Sequence, residues 1–242
     1  MERNLNAPVS FLYEDASLVI VDKPAGVTVI PAPGMASSAC LRDRAAAALD
    51  AKLWAVHRLD RDTSGVVVFA RTAEAHRTLS MAFEARAVEK RYEALVIGCP
   101  SPPEGVVALP LHAARRGKAR PATAGEAGAR DATTAYAVTR VWQHDEQRIA
   151  ALTATPQTGR HHQIRVHLRA IGTPIVGDAL YGSAASRGLG NLPVPRLALH
   201  AASIDVPHPA GERRVAVSAP WPADLAAVSA WLDGHWTPGT AS

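Results

Sequence analysis

The strand-like segments of this chain constrain its fold more than any other feature. Most of them are joined by short polar or glycine- and proline-rich turns, and few are separated by a helix. Parallel neighbours need a long crossover connection, whereas antiparallel neighbours can be joined by a tight turn. We therefore expect an α+β fold, with a mixed, largely antiparallel central β-sheet and flanking helices and loops. The predicted strands lie within 17–22, 65–72, 90–98, 133–142, 148–155, 197–206 and 213–219.

Helical periodicity is limited to four places. It is clearest in residues 73–86 and 160–172, and weaker in 39–50 and 222–232. No internal repeat and no linker divides the chain, so the sequence predicts a single domain over residues 1–242.

The cysteine count and the apolar runs restrict the class of protein. Two cysteines, Cys40 and Cys99, are too few for a disulfide framework or a cysteine-based zinc site. The N-terminal residues lack the apolar region and cleavage site of a signal peptide. No run reaches the roughly 18 apolar residues of a membrane span. We expect a soluble, cytoplasmic protein that is a monomer.

The charge of the chain indicates a polyanionic partner. The net charge is +4, and of the 26 basic residues only four are lysines. Arginine has a planar fork suited to bidentate contacts with phosphates and bases, which lysine cannot supply. A composition rich in alanine and arginine can also reflect a bias of the source, so the charge favours nucleic acid without requiring it.

The motif HRLDRDTSG, residues 57–65, places two aspartates among cations at the start of an apolar strand. In an arbitrary chain such a turn is a solvated set of surface ion pairs. Asp60 and Asp62 would lie about 6.5–7 Å apart in an extended segment, which resembles a glycosidase pair. That pair needs one carboxyl with a raised pKa, and the neighbouring arginines favour ionised carboxylates instead. An ionised aspartate suits a nucleophile, and the spacing does not choose between the two.

The segment TGRHHQIRVHLRAIG predicts a helix that packs on the core along one face. Thr158 or Gly159 can cap it, and apolar residues recur at i, i+4 and i+7. Its adjoining edge presents two imidazoles and two guanidiniums: His161, His162, Arg165 and Arg169. The adjacent histidines are expected to diverge, and no HExxH pattern or cysteine completes a ligand set. We therefore expect no metal, and in isolation this edge would be a solvated surface.

Two further segments bear on ligands. Residues 172–182, GTPIVGDALYG, form a turn-rich loop that can approach a ligand, but they contain no GxGxxG or Walker-type loop. No nucleotide cofactor is indicated. Residues 115–131 are basic and lack periodicity, which is typical of a surface loop or of a flexible arm that meets phosphates.

Four stretches together resemble the RluA family of RNA pseudouridine synthases in order and spacing. They are HRLDRDTSG, KRYEALVIG, TGRHHQIRVHLRAIGTPIVGDALYG and RLALHA, and VDKPAGVTVIPAPG resembles the family's opening strand and loop. The resemblance spans about residues 11–220. It implies isomerisation of specific uridines in structured ribosomal or transfer RNA to pseudouridine, with no cofactor. Many members have an N-terminal S4-like domain, which we do not expect in this chain.

The resemblance also implies roles for individual residues. Asp60 of RLD matches the catalytic carboxylate, Tyr92 of KxY the ring stacked on the target uracil, and Arg165 of HQIR the partner of the carboxylate. Arg58 matches the side chain that enters the RNA helix when the base flips out, and Ile164 the apolar contact on the far side of the tyrosine. The residues expected to bind substrate are His57, Arg58, Arg160, His162, Gln163 and Ile164.

Two other functions fit part of the pattern. A non-catalytic RNA-binding module would explain the basic charge, but it leaves Tyr92 and Asp60 without a role. A carboxylate-pair glycoside hydrolase would use both aspartates, but nothing in the sequence raises the pKa of one of them. Histidine at position 161, where the family often has threonine, lysine or arginine, is interpreted as tolerated variation.

Overall fold

The computed structural model describes residues 8–31, 40–114, 117–123, 125–182, 189 and 191–241. The chain divides into two compact units. Unit 1 consists of Met1–Lys90 and Ala201–Pro220, and unit 2 of Arg91–His200 and Trp221–Ser242.

Four helices and thirteen strands occur in the described ranges. In chain order they are β1 (Ser10–Glu14), β2 (Leu18–Lys23), α1 (Leu41–Ala48), β3 (Trp54–Ala55), β4 (Ser64–Ala70), α2 (Ala73–Glu84), β5 (Glu89–Ile97), β6 (Glu104–Ala108), β7 (Leu111–Ala114), β8 (Lys118–Pro121), β9 (Thr133–His144), β10 (Gln147–Pro156), α3 (Gln163–Ala170), β11 (Leu199–Pro207), β12 (Arg214–Ser218), α4 (Ala223–His235) and β13 (Thr237–Pro238).

In unit 1 the strands follow the order β1, β2, β4, β11, with β3 also on β4 and β12 on β11. The pairs β1–β2, β2–β4, β3–β4 and β11–β12 are antiparallel. All seven residues of β4 are buried, as the continuous apolar run predicts for a central strand. The hydrophobic core of unit 1 contains Leu18, Ile20, Val66, Val68, Leu79, Ile204 and Val215.

The N-cap of helix α2 and the spacing of its apolar residues both favour a helix at this place in the chain. The hydroxyl of Thr72 accepts the N–H of Ala75 at 3.0 Å, which satisfies one of the free donors of the first turn. Ala75 and Leu79, four residues apart, are buried on one face. The helix ends before Arg86, whose φ is +58°.

Gly65, the glycine of the TSG motif, is required by close backbone contact. Its φ is +110°, and a Cβ at this position would lie 2.2 Å from the carbonyl oxygen of Ala201. No side chain fits there, so only glycine lets β4 leave the Asp60 turn beside β11.

In unit 2 the strands follow the order β5, β10, β9, β13, and β6 also pairs with β9. All four pairings are antiparallel, and β7 and β8 form a separate antiparallel hairpin. The core of this unit unites the sheet with α3 and α4 through residues such as Leu95, Ile149, Leu152, Leu168, Leu225 and Leu232.

The predicted α+β fold with a mixed, largely antiparallel sheet is confirmed, and each of the seven predicted strands is present. Three details of the prediction are wrong. The helix expected over 160–172 begins only at Gln163. Residues 118–121 of the expected irregular basic segment form β8, whereas 115, 116 and 124 lie outside the described residues. Several short strands, such as β6 and β13, were not expected. In the described ranges no helix is long and apolar enough to cross a membrane.

Candidate active site

Asp60 lies on a tight turn that leads into β4 in unit 1. Its carbonyl oxygen accepts the N–H of Thr63 at 3.2 Å. Asp60 itself is half-buried, whereas Thr63 and Ser64 are buried. The turn therefore places the carboxylate at the edge of a rigid core strand, which is the placement that a nucleophile needs.

Lys23 holds this turn through hydrogen bonds from a buried ammonium. Its side chain is 0% exposed, and its ammonium donates to three backbone carbonyl oxygens, those of Pro24 (3.0 Å), Val27 (2.8 Å) and Arg61 (2.9 Å). A buried ammonium has three N–H groups to satisfy, and three carbonyls meet that demand. Because Arg61 follows Asp60 directly, Lys23 holds the backbone that presents the candidate nucleophile. The sequence analysis missed this lysine, although it is one of only four in the chain.

Asp62 has a different environment from Asp60. It pairs with its neighbour Arg61, with Nε and Oδ1 3.2 Å apart, and its side chain is 42% exposed. This is the solvated surface pair that an arbitrary turn would contain. Asp60 therefore stays the candidate that the family resemblance implies.

His57 makes a hydrogen bond and a ring-stacking contact within unit 1. Its Nε2 accepts the backbone N–H of Val68 at 2.9 Å, and its ring stacks on Phe83 with centroids 4.8 Å apart. Burial, and to a lesser degree the charge of Lys90, lowers the pKa of His57 to about 3. The ring is therefore neutral near pH 7. Its contacts with Val68 and Phe83 hold the first residue of the HRLDRDTSG motif in place. Arg58, by contrast, is exposed.

Tyr92 and Ile164 lie in unit 2, on β5 and α3. Tyr92 is half-buried and opposite Ala154 of β10. It packs against the core cluster of unit 2, to which Ile164 belongs. The sheet thus holds the phenol ring on a rigid strand.

The N-terminus of α3 differs from the prediction. His162 is the N-cap in a left-handed conformation, with φ +55°, and its side chain makes no capping hydrogen bond. Thr158 does not cap the helix; its hydroxyl donates to Oε1 of Gln163 at 2.7 Å. The expected divergence of His161 and His162 is also wrong, because their rings stack with centroids 3.7 Å apart. The left-handed residue turns the chain and brings the two rings together.

Gln163 and Arg160 make hydrogen bonds to the protein itself. The amide of Gln163 accepts from the N–H of Arg160 (3.0 Å) and donates to the carbonyl of Thr133 (2.9 Å). Nε of Arg160 donates to the carbonyl of Asp131 at 3.0 Å. These bonds tie α3 to the start of β9, and the expected contacts with substrate stay predictions.

Arg165 is buried, which corrects the expectation of a solvated helix edge. Its Nε and Nη2 donate to Oδ2 and Oδ1 of Asp178 at 2.8 and 2.9 Å, and both side chains are almost fully inaccessible. Oδ1 also accepts the N–H groups of Leu180 (3.0 Å) and Tyr181 (3.1 Å). A bidentate pair of this kind fixes the plane of the guanidinium.

The sequence analysis missed Asp178 as a site residue. A signal was present, because a carboxylate follows directly on an apolar run in IVGD. Gly177 precedes it with φ +75°, and a Cβ there would lie 2.1 Å from the carbonyl oxygen of Arg196. The glycine lets the chain turn tightly enough to direct Asp178 at Arg165.

Comparisons with known proteins identify the family. The family described as RNA pseudouridylate synthase matches residues 17–170. The dual-specificity RNA pseudouridine synthase RluA of Escherichia coli (strain K12) is 36% identical over 226 residues, which cover 90% of this chain and 97% of the relative. The chain belongs to the RluA family of RNA pseudouridine synthases. Within that family, the ribosomal large subunit pseudouridine synthase D of Xanthomonas campestris pv. campestris is 37% identical over 234 residues, covering 90% of this chain and 67% of the relative.

Solved structures agree on the fold. Human RNA pseudouridylate synthase domain containing 1 matches with a TM-score of 0.77 at 23% identity, covering 99% of this chain and 92% of that one. Human RNA pseudouridylate synthase domain containing 4 matches with a TM-score of 0.72 at 25% identity, covering 93% of each chain. The fold is that of the pseudouridine synthases, and the chain is an isomerase.

Proposed function

We propose that the enzyme isomerises specific uridines in structured ribosomal or transfer RNA, with Asp60 as the catalytic carboxylate. The observation that supports this role is the Asp60 turn. The motif places one carboxylate, half-buried and anchored through Lys23, at the start of a core strand. The second carboxylate, Asp62, is in an exposed ion pair.

The reaction replaces one glycosidic bond by another. The bond between N1 and C1′ breaks, the detached uracil rotates, and a bond between C5 and C1′ forms while C5 loses a proton and N1 gains one. Asp60 either assists departure of the base or attacks C1′. In the second case its carboxylate oxygen bonds to C1′ as the N1–C1′ bond breaks, and this new O–C1′ bond breaks in turn when C5 bonds to C1′. The uracil has to stay in a closed site, because its loss to water would end the reaction without product.

The target uridine has to leave the RNA stack before the reaction. Extrusion of a base costs a few kcal/mol. Arg58 is exposed and would fill the vacancy in the RNA, which offsets part of that cost. Stacking of the uracil on Tyr92 contributes roughly 1–3 kcal/mol, with Ile164 on the far side of the ring.

Arg165 supplies the oriented positive charge for the Asp60 carboxylate. Its guanidinium plane is fixed by Asp178, so little reorganisation is needed during the reaction. The imidazole of His162, the side chains of Arg160 and Gln163, and the basic segment 115–131 are proposed to contact the RNA. His57 contributes by supporting the motif. The proposed enzyme is a cytoplasmic monomer that requires no metal and no other cofactor.

The test of this function is an Asp60→Asn variant with Asp62→Asn as its matched control. Both changes remove one carboxylate from the same turn. We expect Asp60→Asn to form no detectable pseudouridine while it retains RNA binding, and Asp62→Asn to keep activity close to that of the wild type. Pseudouridine is measured in ribosomal and transfer RNA from cells that lack the gene, after incubation with each protein.

Two outcomes would contradict the proposal. Activity that survives in Asp60→Asn and is lost in Asp62→Asn would transfer the role to the other aspartate. RNA binding by the wild type without any modification would favour the non-catalytic RNA-binding module.

The stacking role of Tyr92 has a separate test. Tyr92→Phe retains the ring, so we expect it to keep much of the activity, and Tyr92→Ala to lose most of it. Full turnover by the alanine variant would refute the role.

A further inference from the structure

The β7–β8 hairpin is joined to the N-terminus of α3 by three polar contacts. Nε2 of His161 donates to the carbonyl oxygen of Gly117 at 2.9 Å. The hydroxyl of Tyr181 accepts the backbone N–H of Ala119 at 2.8 Å and lies 2.8 Å from Nδ1 of His162. We call these three contacts the histidine clasp. They secure the hairpin close to the helix that contains Arg165.

The hydroxyl of Tyr181 lies within hydrogen-bond distance of two groups. Its oxygen accepts the N–H of Ala119, and Nδ1 of His162 lies 2.8 Å away. A phenol hydroxyl can donate one hydrogen bond and accept others, so the contact fits an imidazole nitrogen that accepts or one that donates. Removal of the hydroxyl therefore breaks both contacts.

The ring of Tyr181 contacts the Arg165–Asp178 pair on its other side. The guanidinium carbon of Arg165 lies 5.1 Å from the centre of the phenol ring, within the range of a cation–π interaction. The backbone N–H of Tyr181 donates to Asp178. Tyr181 is only 7% exposed, so one buried side chain contacts both the hairpin and the arginine.

Apolar packing supports the same connection. Tyr181 forms a small buried cluster with Leu111, Ala119, Ala132 and Val166, which come from β7, β8, the residue before β9, and α3. The exposed side of this region contains Arg120 and Arg130, and Arg120 is paired with Glu126. The buried face of the region is therefore fixed to α3, and its exposed arginines are the groups that a phosphate backbone would contact.

We propose that Tyr181 is a positioning residue that couples the basic hairpin to Arg165, so that RNA bound on the hairpin meets a correctly oriented guanidinium. This inference rests on the proposed function, because it assumes that the hairpin contacts RNA and that Arg165 orients the Asp60 carboxylate. Tyr181 acts through its neighbours and does not itself contact the reacting atoms.

The two roles of Tyr181 are separated by two variants. Tyr181→Phe removes the hydroxyl and retains the ring over Arg165; we expect the KM for RNA to rise about 5-fold, with kcat within about twofold of the wild type. Tyr181→Leu removes both contacts, so kcat falls as well, by about 10-fold.

Tyr136→Phe is the matched control, because it deletes a hydroxyl that donates to the carbonyl of Pro102 in the same unit. Its KM stays at the wild-type value.

Measurements on the free enzyme test the clasp without RNA. In Tyr181→Phe we expect the amide of Ala119 to exchange its hydrogen about 5-fold faster than in the wild type. The imidazole ¹⁵N shifts of His162 should also change, because Nδ1 loses the hydroxyl beside it. In Tyr136→Phe neither quantity changes.

The outcomes distinguish this inference from the proposed function. Unchanged exchange at Ala119 and an unchanged KM in Tyr181→Phe overturn the inference. Faster exchange with unchanged KM and kcat in both Tyr181 variants also overturns it, because the clasp would then not affect the reaction. Failure of the Asp60 test contradicts the proposed function, and the exchange and ¹⁵N measurements are independent of that result.

Discussion

Arg165 and Asp178, thirteen residues apart in the chain, form a buried bidentate ion pair. Because both groups are inaccessible to water, removing one partner leaves the other as an uncompensated charge. The pair therefore holds the arginine in one orientation and makes it sensitive to changes at Asp178, to which the sequence analysis assigned no role.

We expect Asp178→Ala to lose about 3–5 kcal/mol of unfolding free energy, because Arg165 then remains buried without its carboxylate. Asp205→Ala is the matched control. It breaks the exposed pair of Asp205 with Arg214 and should lose about 1 kcal/mol or less. Urea unfolding measures both values. Equal losses in the two variants would show that the Arg165–Asp178 pair is not buried as described.

Lys23→Met should impair catalysis more than substrate binding. The methionine removes the ammonium that holds the carbonyl of Arg61, so the Asp60 turn shifts, and a shift of about 1 Å in a reacting group lowers the rate by about 10²-fold. We expect kcat to fall in that range, with a much smaller change in KM. Lys52→Met, at an exposed lysine over the ring of Trp54, should leave both constants unchanged. A wild-type kcat in Lys23→Met would refute the anchoring role.

Gly65→Ala should destabilise the protein strongly. The added methyl group would meet the carbonyl of Ala201, and the backbone at +110° is strained for alanine. We expect a loss of more than about 2 kcal/mol, measured by thermal or urea unfolding. At Gly211 a Cβ meets no atom within 4 Å, so Gly211→Ala should stay within about 0.5 kcal/mol of the wild type.

His57 should make stability depend on pH in acid. Its folded pKa of about 3 lies below the ordinary value of 6.5, so between these values the unfolded chain binds a proton that the folded chain does not. Stability is therefore undiminished above about pH 6.5 and falls as the pH drops from 6.5 towards 3, by up to about 1.4 kcal/mol per pH unit.

The variant His57→Gln isolates this effect, because a glutamine oxygen can accept the N–H of Val68 without titrating. We expect the difference in unfolding free energy between variant and wild type to move in favour of the variant below pH 6. A difference that is constant with pH would mean that His57 titrates normally in the folded state.

The sequence by itself determined seven of the strands, the four helices and the family. Alternating and β-branched apolar runs define strands locally, because successive side chains of a strand point to opposite faces of the sheet. A strand with one buried face is apolar at every second residue, and a strand with two buried faces is apolar throughout. The resemblance to the RluA family implied the roles of Asp60, Tyr92 and Arg165, whereas the spacing of the residues alone left Asp60 and Asp62 as alternatives. None of these inferences required knowledge of distant contacts.

Only the tertiary structure decided which polar groups are buried and what they contact. Lys23 binds the carbonyl of a residue 38 positions away, and the Tyr181 hydroxyl meets an amide 62 positions away. The first turn of α3 starts later than its periodicity indicates, since the side chain of Thr158 bonds Gln163 instead of capping the helix. A local pattern reports which face of an element is apolar, but the partner of a buried charge is set by how distant segments pack.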